Sequence, residues 1–213
     1  MDSDRPLWDL FTAGGPVMWP LLLCSLLSLT VILERAFFWL RINVADDRDA
    51  IDKLLESCRT RDRRGDGEQT EERSGRHGAV YGMLLRGMAH HEYSASRAME
   101  AVALEELKKM RRGMNILDTV ITVAPMLGIL GTVTGIIGSF TALGQAGIAD
   151  PQAVIAGIAE ALITTAAGLI ISVATVFPFN YFNSRIEDAQ DLFEHCGTRL
   201  EIAREHVCRE KER

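Results

Sequence analysis

Glu160 is the residue of this chain whose type and setting most invite chemistry. From Pro151 to Ser184 it is the single Asp, Glu, Lys or Arg, and from Thr119 to Ala149 there is none. A charged group at membrane depth costs on the order of 2–4 kcal/mol, so it should face protein or water. Thr164 lies four residues on and projects close to the same direction on a helix, with Thr165 one step further round. Gly157, Ala161, Gly168, Ser172 and Thr175 extend this small or polar stripe. If protons or cations cross these apolar stretches, Glu160 is the one acidic relay they offer. The plainer alternative is that Glu160, ten residues after Asp150, sits near the outer interface and snorkels or pairs with a neighbour.

The preceding stretch carries Gly128, Gly131, Thr132, Gly135, Gly138, Ser139 and Ala142, whose steps of three and four put them near one helical face. Lipid gives helices no hydrophobic drive to associate. Small residues let backbones approach and gain van der Waals contact instead. Gly128, Gly131, Gly135 and Gly138, with Gly157 and Gly168 from the next stretch, therefore read as helix-packing positions. Thr132 and Ser139, seven residues apart, share a face and could line a polar pathway, although a membrane Thr most often bonds its own backbone. Pro125 leaves the carbonyl near Ile121 without its helical donor, which is tolerable if Thr122, water or another helix supplies one.

The elements that must position these groups are apolar helices. The 213 residues average 24% charged, with a net charge of −6 and a mean hydropathy of only +0.07. The charges are unevenly spread, however. Residues 16–33 form a third apolar run. Three segments approach or exceed the roughly 20 residues needed to cross about 30 Å of hydrocarbon. This excludes a simple soluble globular enzyme and a strongly basic nucleic-acid binder. The chain shows no nucleophile–base pair and no phosphate-binding loop. His195 and Cys196 with His206 and Cys208 fit no standard zinc spacing, and the cysteines read as reduced thiols. No catalytic residue, metal or cofactor is expected. The acidic start Met1-Asp2-Ser3-Asp4-Arg5 does not resemble a signal peptide. With Phe37, Phe38 and Trp39 at its end, the first run reads as a retained helix anchored at an interface.

Charge sets the expected topology. Of 23 Lys and Arg residues, 16 lie between Arg35 and Arg112, six follow Ser184, and none separates the second and third runs. The positive-inside rule places those basic flanks in the cytoplasm. The expected layout is a periplasmic N-terminus (1–15), a first transmembrane helix (16–40), a cytoplasmic helical domain (41–118), a second transmembrane helix (119–143), a periplasmic turn (144–152), a third transmembrane helix (153–182) and a cytoplasmic C-terminal helix (183–213). Within the cytoplasmic domain, residues 59–78 are highly charged and nearly free of apolar residues, which suggests a mobile loop. Ile51, Leu54 and Leu55, then Val80, Met83, Leu84 and Met88, have helical spacing. From Ser94 the stripe Met99, Val102, Ala103, Leu107, Met110 argues for a helix capped by Ser94 or Ser96 and running unbroken into the second span. The third span should likewise continue past Ser184. The fold class is thus an all-α membrane protein with three transmembrane helices and long cytoplasmic helical extensions.

These residues resemble a known pattern. Residues 124–136, APMLGILGTVTGI, resemble the second-span signature of the ExbB/TolQ/MotA proton-channel family, and residues 157–169, GIAEALITTAAGL, its third-span signature. The opening GGPVMWP at 14–20, with Glu34-Arg35 after the first apolar run, also looks like ExbB and TolQ. The resemblance covers all three spans in order. Three spans favour the ExbB/TolQ branch over four-span MotA, and Thr134, where TolQ-like members often have Trp, favours an ExbB-like reading. The resemblance implies an inner-membrane subunit forming a homopentameric ring around helices of an ExbD- or TolR-like single-span partner. Proton flow through such a ring drives a TonB- or TolA-like transducer. By motif position, Thr132 and Thr165 correspond to the family's pore-facing threonines and Glu160 to its intramembrane glutamate. With Thr164 and Ser139 they make the expected proton pathway. The competing functions are a flagellar-type stator or other cation channel, and a non-conducting membrane scaffold.

Overall fold

The computed structural model describes residues 11–41, 80, 82–84, 92–146 and 151–211, and no strand occurs among them. Among the described residues there are four long helices: α1, Met18–Arg41; α2, Glu92–Met110; α3, Met114–Ala146; and α4, Pro151–Lys211. The sequence readings for 59–78, for Ile51, Leu54 and Leu55, and for Met88 lie outside the described residues. Candidate membrane spans are Met18–Leu40, Met114–Thr141 and Val154–Ile202. The protein is therefore all-α, with three helices long and apolar enough to cross a bilayer. The 61 residues of α4 far exceed the roughly 20 that a crossing needs, and the helix does continue past Ser184.

The chain divides into two compact units. The first comprises Met1–Arg35 and Gly113–Tyr181. In it Leu21 of α1 meets Val120 and Ala124 of α3, with Ala167 and Ile171 of α4 packed against them. Much of the remaining apolar surface faces outward, including Leu23, Phe140 and Ile170, each at least 60% exposed. So much exposed apolar area on one helical unit suits lipid or partner helices rather than water. Arg35 is buried and pairs with Glu34 at 2.7 Å.

The second unit comprises Ala36–Arg112 and Phe182–Arg213. Its core contains Val80, Met83, Leu84, Met99 and Met110 together with Ile186, Phe193 and Leu200 of α4. These follow the helical spacing read from the sequence. Trp39 lies beneath the Arg185 guanidinium, 5.9 Å from ring centroid to Cζ, a cation–π arrangement. On α2, Lys109 bonds Glu106 at 2.9 Å and Glu105 at 3.2 Å. The bonds to Glu106 and then Glu105 push its pKa up, though such an exposed pair adds little stability.

The structure corrects the expectation of an unbroken helix into the second span: α2 and α3 are separate helices. Residues 111–113 form a turn, and Gly113 adopts φ of +80°. Leu107 accepts a bond from the Arg111 N–H at 2.9 Å, and Lys109 accepts one from Arg112 at 3.4 Å, the tightening expected at a helix end. The Gly113 carbonyl then accepts from Ile116 and Leu117 and starts α3. Lysines in a last turn followed by a left-handed glycine are a helix-stop signature, so the break was visible in Lys108-Lys109-Met110-Arg111-Arg112-Gly113. Ser94 and Ser96 lie within α2 rather than capping it.

Two glycines should respond oppositely to alanine. A Cβ on Gly113 meets Val31 Cγ1 at 2.9 Å in a left-handed backbone, so Gly113→Ala should cost about 1–2 kcal/mol. Gly197 lies within α4 with nothing inside 4 Å of its Cβ position, so Gly197→Ala should gain about 0.5–1 kcal/mol. Thermal unfolding midpoints in a mild detergent should fall for the first and rise for the second.

Candidate functional site

The candidate site begins with the contact between α3 and α4, which the glycines make possible. A Cβ on Gly128 would stand 3.0 Å from the Thr165 Cα and 3.1 Å from the Thr164 carbonyl. On Gly135 it would stand 2.9 Å from the Gly157 carbonyl, and on Gly168 2.5 Å from the Ala124 carbonyl. On Gly131 it would overlap the Thr164 side chain, and on Gly157 the Ser139 hydroxyl. Backbone thus runs against backbone, as small residues allow in lipid. Gly138 is different: nothing lies within 4 Å of its Cβ position, so it faces away from this contact.

Three hydroxyls cross the contact to carbonyls on the other helix. Thr165 Oγ1 donates to the Gly128 carbonyl at 3.0 Å, and Ser172 Oγ to that of Ile121 at 2.8 Å. Ser139 Oγ reaches the Val154 carbonyl at 3.3 Å and its own helix at Gly135, 2.9 Å. The two helices are therefore antiparallel and in contact from Ile121 to Ser139 on α3, about 27 Å at 1.5 Å per residue, close to the hydrocarbon thickness.

The Ser172 bond settles where the Ile121 carbonyl finds its donor. Pro125 has no N–H to return to Ile121. Thr122 does not substitute, because its hydroxyl donates to the Asp118 carbonyl at 3.1 Å. The neighbouring helix does so through Ser172. The sequence named Ser172 only as one member of a polar stripe. Its signal was a proline on one apolar helix and an unexplained hydroxyl on the next.

The sequence-named residues fall into three places. Ser139 and Thr164 are buried between α3 and α4, with Thr164 Oγ1 donating to the Ala161 carbonyl at 2.9 Å. Thr165 is half-buried and tied to Gly128, whereas half-buried Thr132 donates to its own helix at Ile129, 2.6 Å. Glu160 is half-buried six residues into its span, about 9 Å along the helix. Its carboxylate lies against Gly15, in the turn before α1. The structure therefore gathers Ser139, Thr164 and Thr165 along the α3–α4 contact and sets Glu160 against the N-terminal turn. Sequence reasoning missed this role of Gly15, although Gly14-Gly15-Pro16 is a plain turn signal. Each hydroxyl in the contact donates once and keeps acceptor capacity, so the set can hold water or pass a proton without carrying fixed charge. No group of three or more His, Cys, Asp or Glu able to hold a metal occurs among the described residues. The His206 and Cys208 side chains lie outside them.

Comparison with known proteins gives a consistent picture. A profile of the MotA/TolQ/ExbB proton channel family matches residues 76–195. A Synechocystis biopolymer transport protein described as ExbB-like 1 is 38% identical over 205 residues, covering 92% of this chain and 78% of its own. A biopolymer transport protein of Vibrio cholerae is 30% identical over 166 residues, covering 76% and 72%. The Tol-Pal system protein TolQ of Haemophilus influenzae is 40% identical over 90 residues, covering 42% and 40%.

The Ser172 bond has a testable energetic consequence. Ser172→Ala should leave the part-buried Ile121 carbonyl without its donor and cost about 1–3 kcal/mol. In a Pro125→Ala background residue 125 regains an N–H for Ile121, and the same serine substitution should cost clearly less. Thermal melts of the four proteins in detergent measure the coupling. Equal losses in both backgrounds would show that Ser172 is not completing the proline-broken ladder.

Proposed function

The chain belongs to the MotA/TolQ/ExbB proton channel family, and on that premise we propose that it is the ring-forming subunit of an inner-membrane motor driven by the proton-motive force. In this reading five copies surround the helix of an ExbD- or TolR-like partner and pass motion to a TonB- or TolA-like transducer. The N-terminus lies in the periplasm and the C-terminus in the cytoplasm, as the basic flanks favour. The chain is a multi-pass membrane protein of the biopolymer-transport type. The observation that carries the proposal is a single carboxylate, Glu160, in the stretch from Val154 to Phe179, where the other polar side chains, Thr164, Thr165, Ser172 and Thr175, are hydroxyls.

The physical argument has three parts. Three helices cannot enclose a conduit, so a pore needs several copies. The outward apolar faces of α1, α3 and α4 supply surface for lipid, for further copies and for a partner helix. Glu160, Thr132 and Thr165 then provide a titratable group and neutral relays. Thr164 and Ser139 act from within the α3–α4 contact, where they hold the helices in register. In this reading its role is transport rather than catalysis.

Two experiments test this reading. Native mass spectrometry of gently extracted protein should find a homo-oligomer, with five copies the expected count; a monomer in several mild detergents would count against it. In vesicles carrying the ring and its partner, Glu160→Ala should lower proton-driven activity at least about tenfold, a barrier change of ~1.4 kcal/mol, without loss of assembly. A mild Glu160→Gln defect would assign Glu160 to hydration and packing, and a severe one to protonation. The double substitution Thr132→Val, Thr165→Val should assemble and conduct poorly, while normal activity would remove both threonines from the pathway.

A further inference from the structure

Glu160 lies against a backbone that has no room for any side chain. Gly15 has φ of +66°, a left-handed conformation that other residues enter at a cost. A Cβ built on it would stand 2.5 Å from the Glu160 Cδ and overlap Oε1. Two independent features therefore favour glycine here, and only the second involves Glu160.

The turn around Gly15 is self-supporting. Gly14 and Gly15 donate to the Phe11 and Thr12 carbonyls at 3.3 Å, and Met18 and Trp19 donate back to Gly15 and Pro16 at 3.2 and 3.3 Å. Phe11 and Trp19 close it with an edge-to-face ring contact at 5.3 Å. Gly14 seats against the same helix, its Cβ position 3.3 Å from Ile163 Cγ2. A turn whose own bonds fix its shape makes a firm wall for a carboxylate.

We propose that Gly15 is a positioning residue for Glu160. The space left by its missing side chain is the notch that the carboxylate occupies, and it holds that side chain against the N-terminal turn. The turn of residues 11–19 is therefore part of the acid's site as well as the entry to α1. The functional weight of this notch rests on the proposed role of Glu160 in proton flow; the positioning itself does not.

The test separates the two. Membranes containing the full chain and its single-span partner are treated with dicyclohexylcarbodiimide, and mass spectrometry follows modification of Glu160 against Glu34 in the same molecule. Gly15→Ala should expel the carboxylate from its notch and speed Glu160 labelling severalfold. Gly113→Ala, also in a left-handed backbone but packed on Val31 with no Glu160 atom near its Cβ position, should leave the rate unchanged. Glu160→Asp shortens the acid by one methylene, so Gly15→Ala in that background should change labelling little. An unchanged or slower rate at Glu160 in Gly15→Ala, or a matching increase in Gly113→Ala, overturns the proposal. If Gly15→Ala does not accumulate in membranes, accumulation of Gly15→Ala, Glu160→Asp upholds the steric notch, and failure of both overturns it. Faster labelling with unaltered proton-driven activity would leave the positioning intact and remove Glu160 from the proton pathway.

Discussion

Within the apolar unit the backbones of α3 and α4 approach so closely that a single methyl group at Gly128, Gly131, Gly135, Gly157 or Gly168 meets the facing helix. Hydrocarbon offers no water to satisfy a carbonyl and no hydrophobic gain for burying a side chain. Contact and internal hydrogen bonding must therefore hold the helices together. Both are present here. The glycines bring the backbones into contact, and the approach places Ser139, Thr165 and Ser172 within reach of carbonyls on the other helix. A larger residue at these positions would separate the helices and strand the hydroxyls.

The same close approach sorts the polar side chains. Thr164 and Ser139 are committed to the seam between the two helices, while Thr132 is on the partly exposed surface of α3. Glu160 belongs to the same helix as Thr164, but its carboxylate meets the turn preceding α1. An acid held by one element and hydroxyls held by another can be affected separately.

Much of this was legible in the residues. The uncharged run from Thr119 to Ala149, and the next with Glu160 alone, fixed the existence of two long membrane helices. Their small-residue spacing fixed that each has a face for close contact. The continuation of α4 beyond Ser184 followed from apolar residues recurring among charges, and Ile186, Phe193 and Leu200 are buried accordingly. The break at Gly113 was written in the chain as well: no proline marks it, but a glycine directly after the basic last turn does.

Sequence by itself determined the all-helical class, the three apolar spans, the lone acid of the third apolar stretch and the carbonyl that Pro125 would strand. Helical periodicity states which residues share a face, but not how far a helix is rotated or slid against its neighbour. That rotation and register exist only once helices pack. They decided that Ser172, rather than Thr122, serves the Ile121 carbonyl, that Gly138 stands apart from the other packing glycines, and that Thr164 turns inward. They also decided that Glu160 meets Gly15, 145 positions away along the chain, because a contact so distant in sequence leaves no local pattern in the residues on either side.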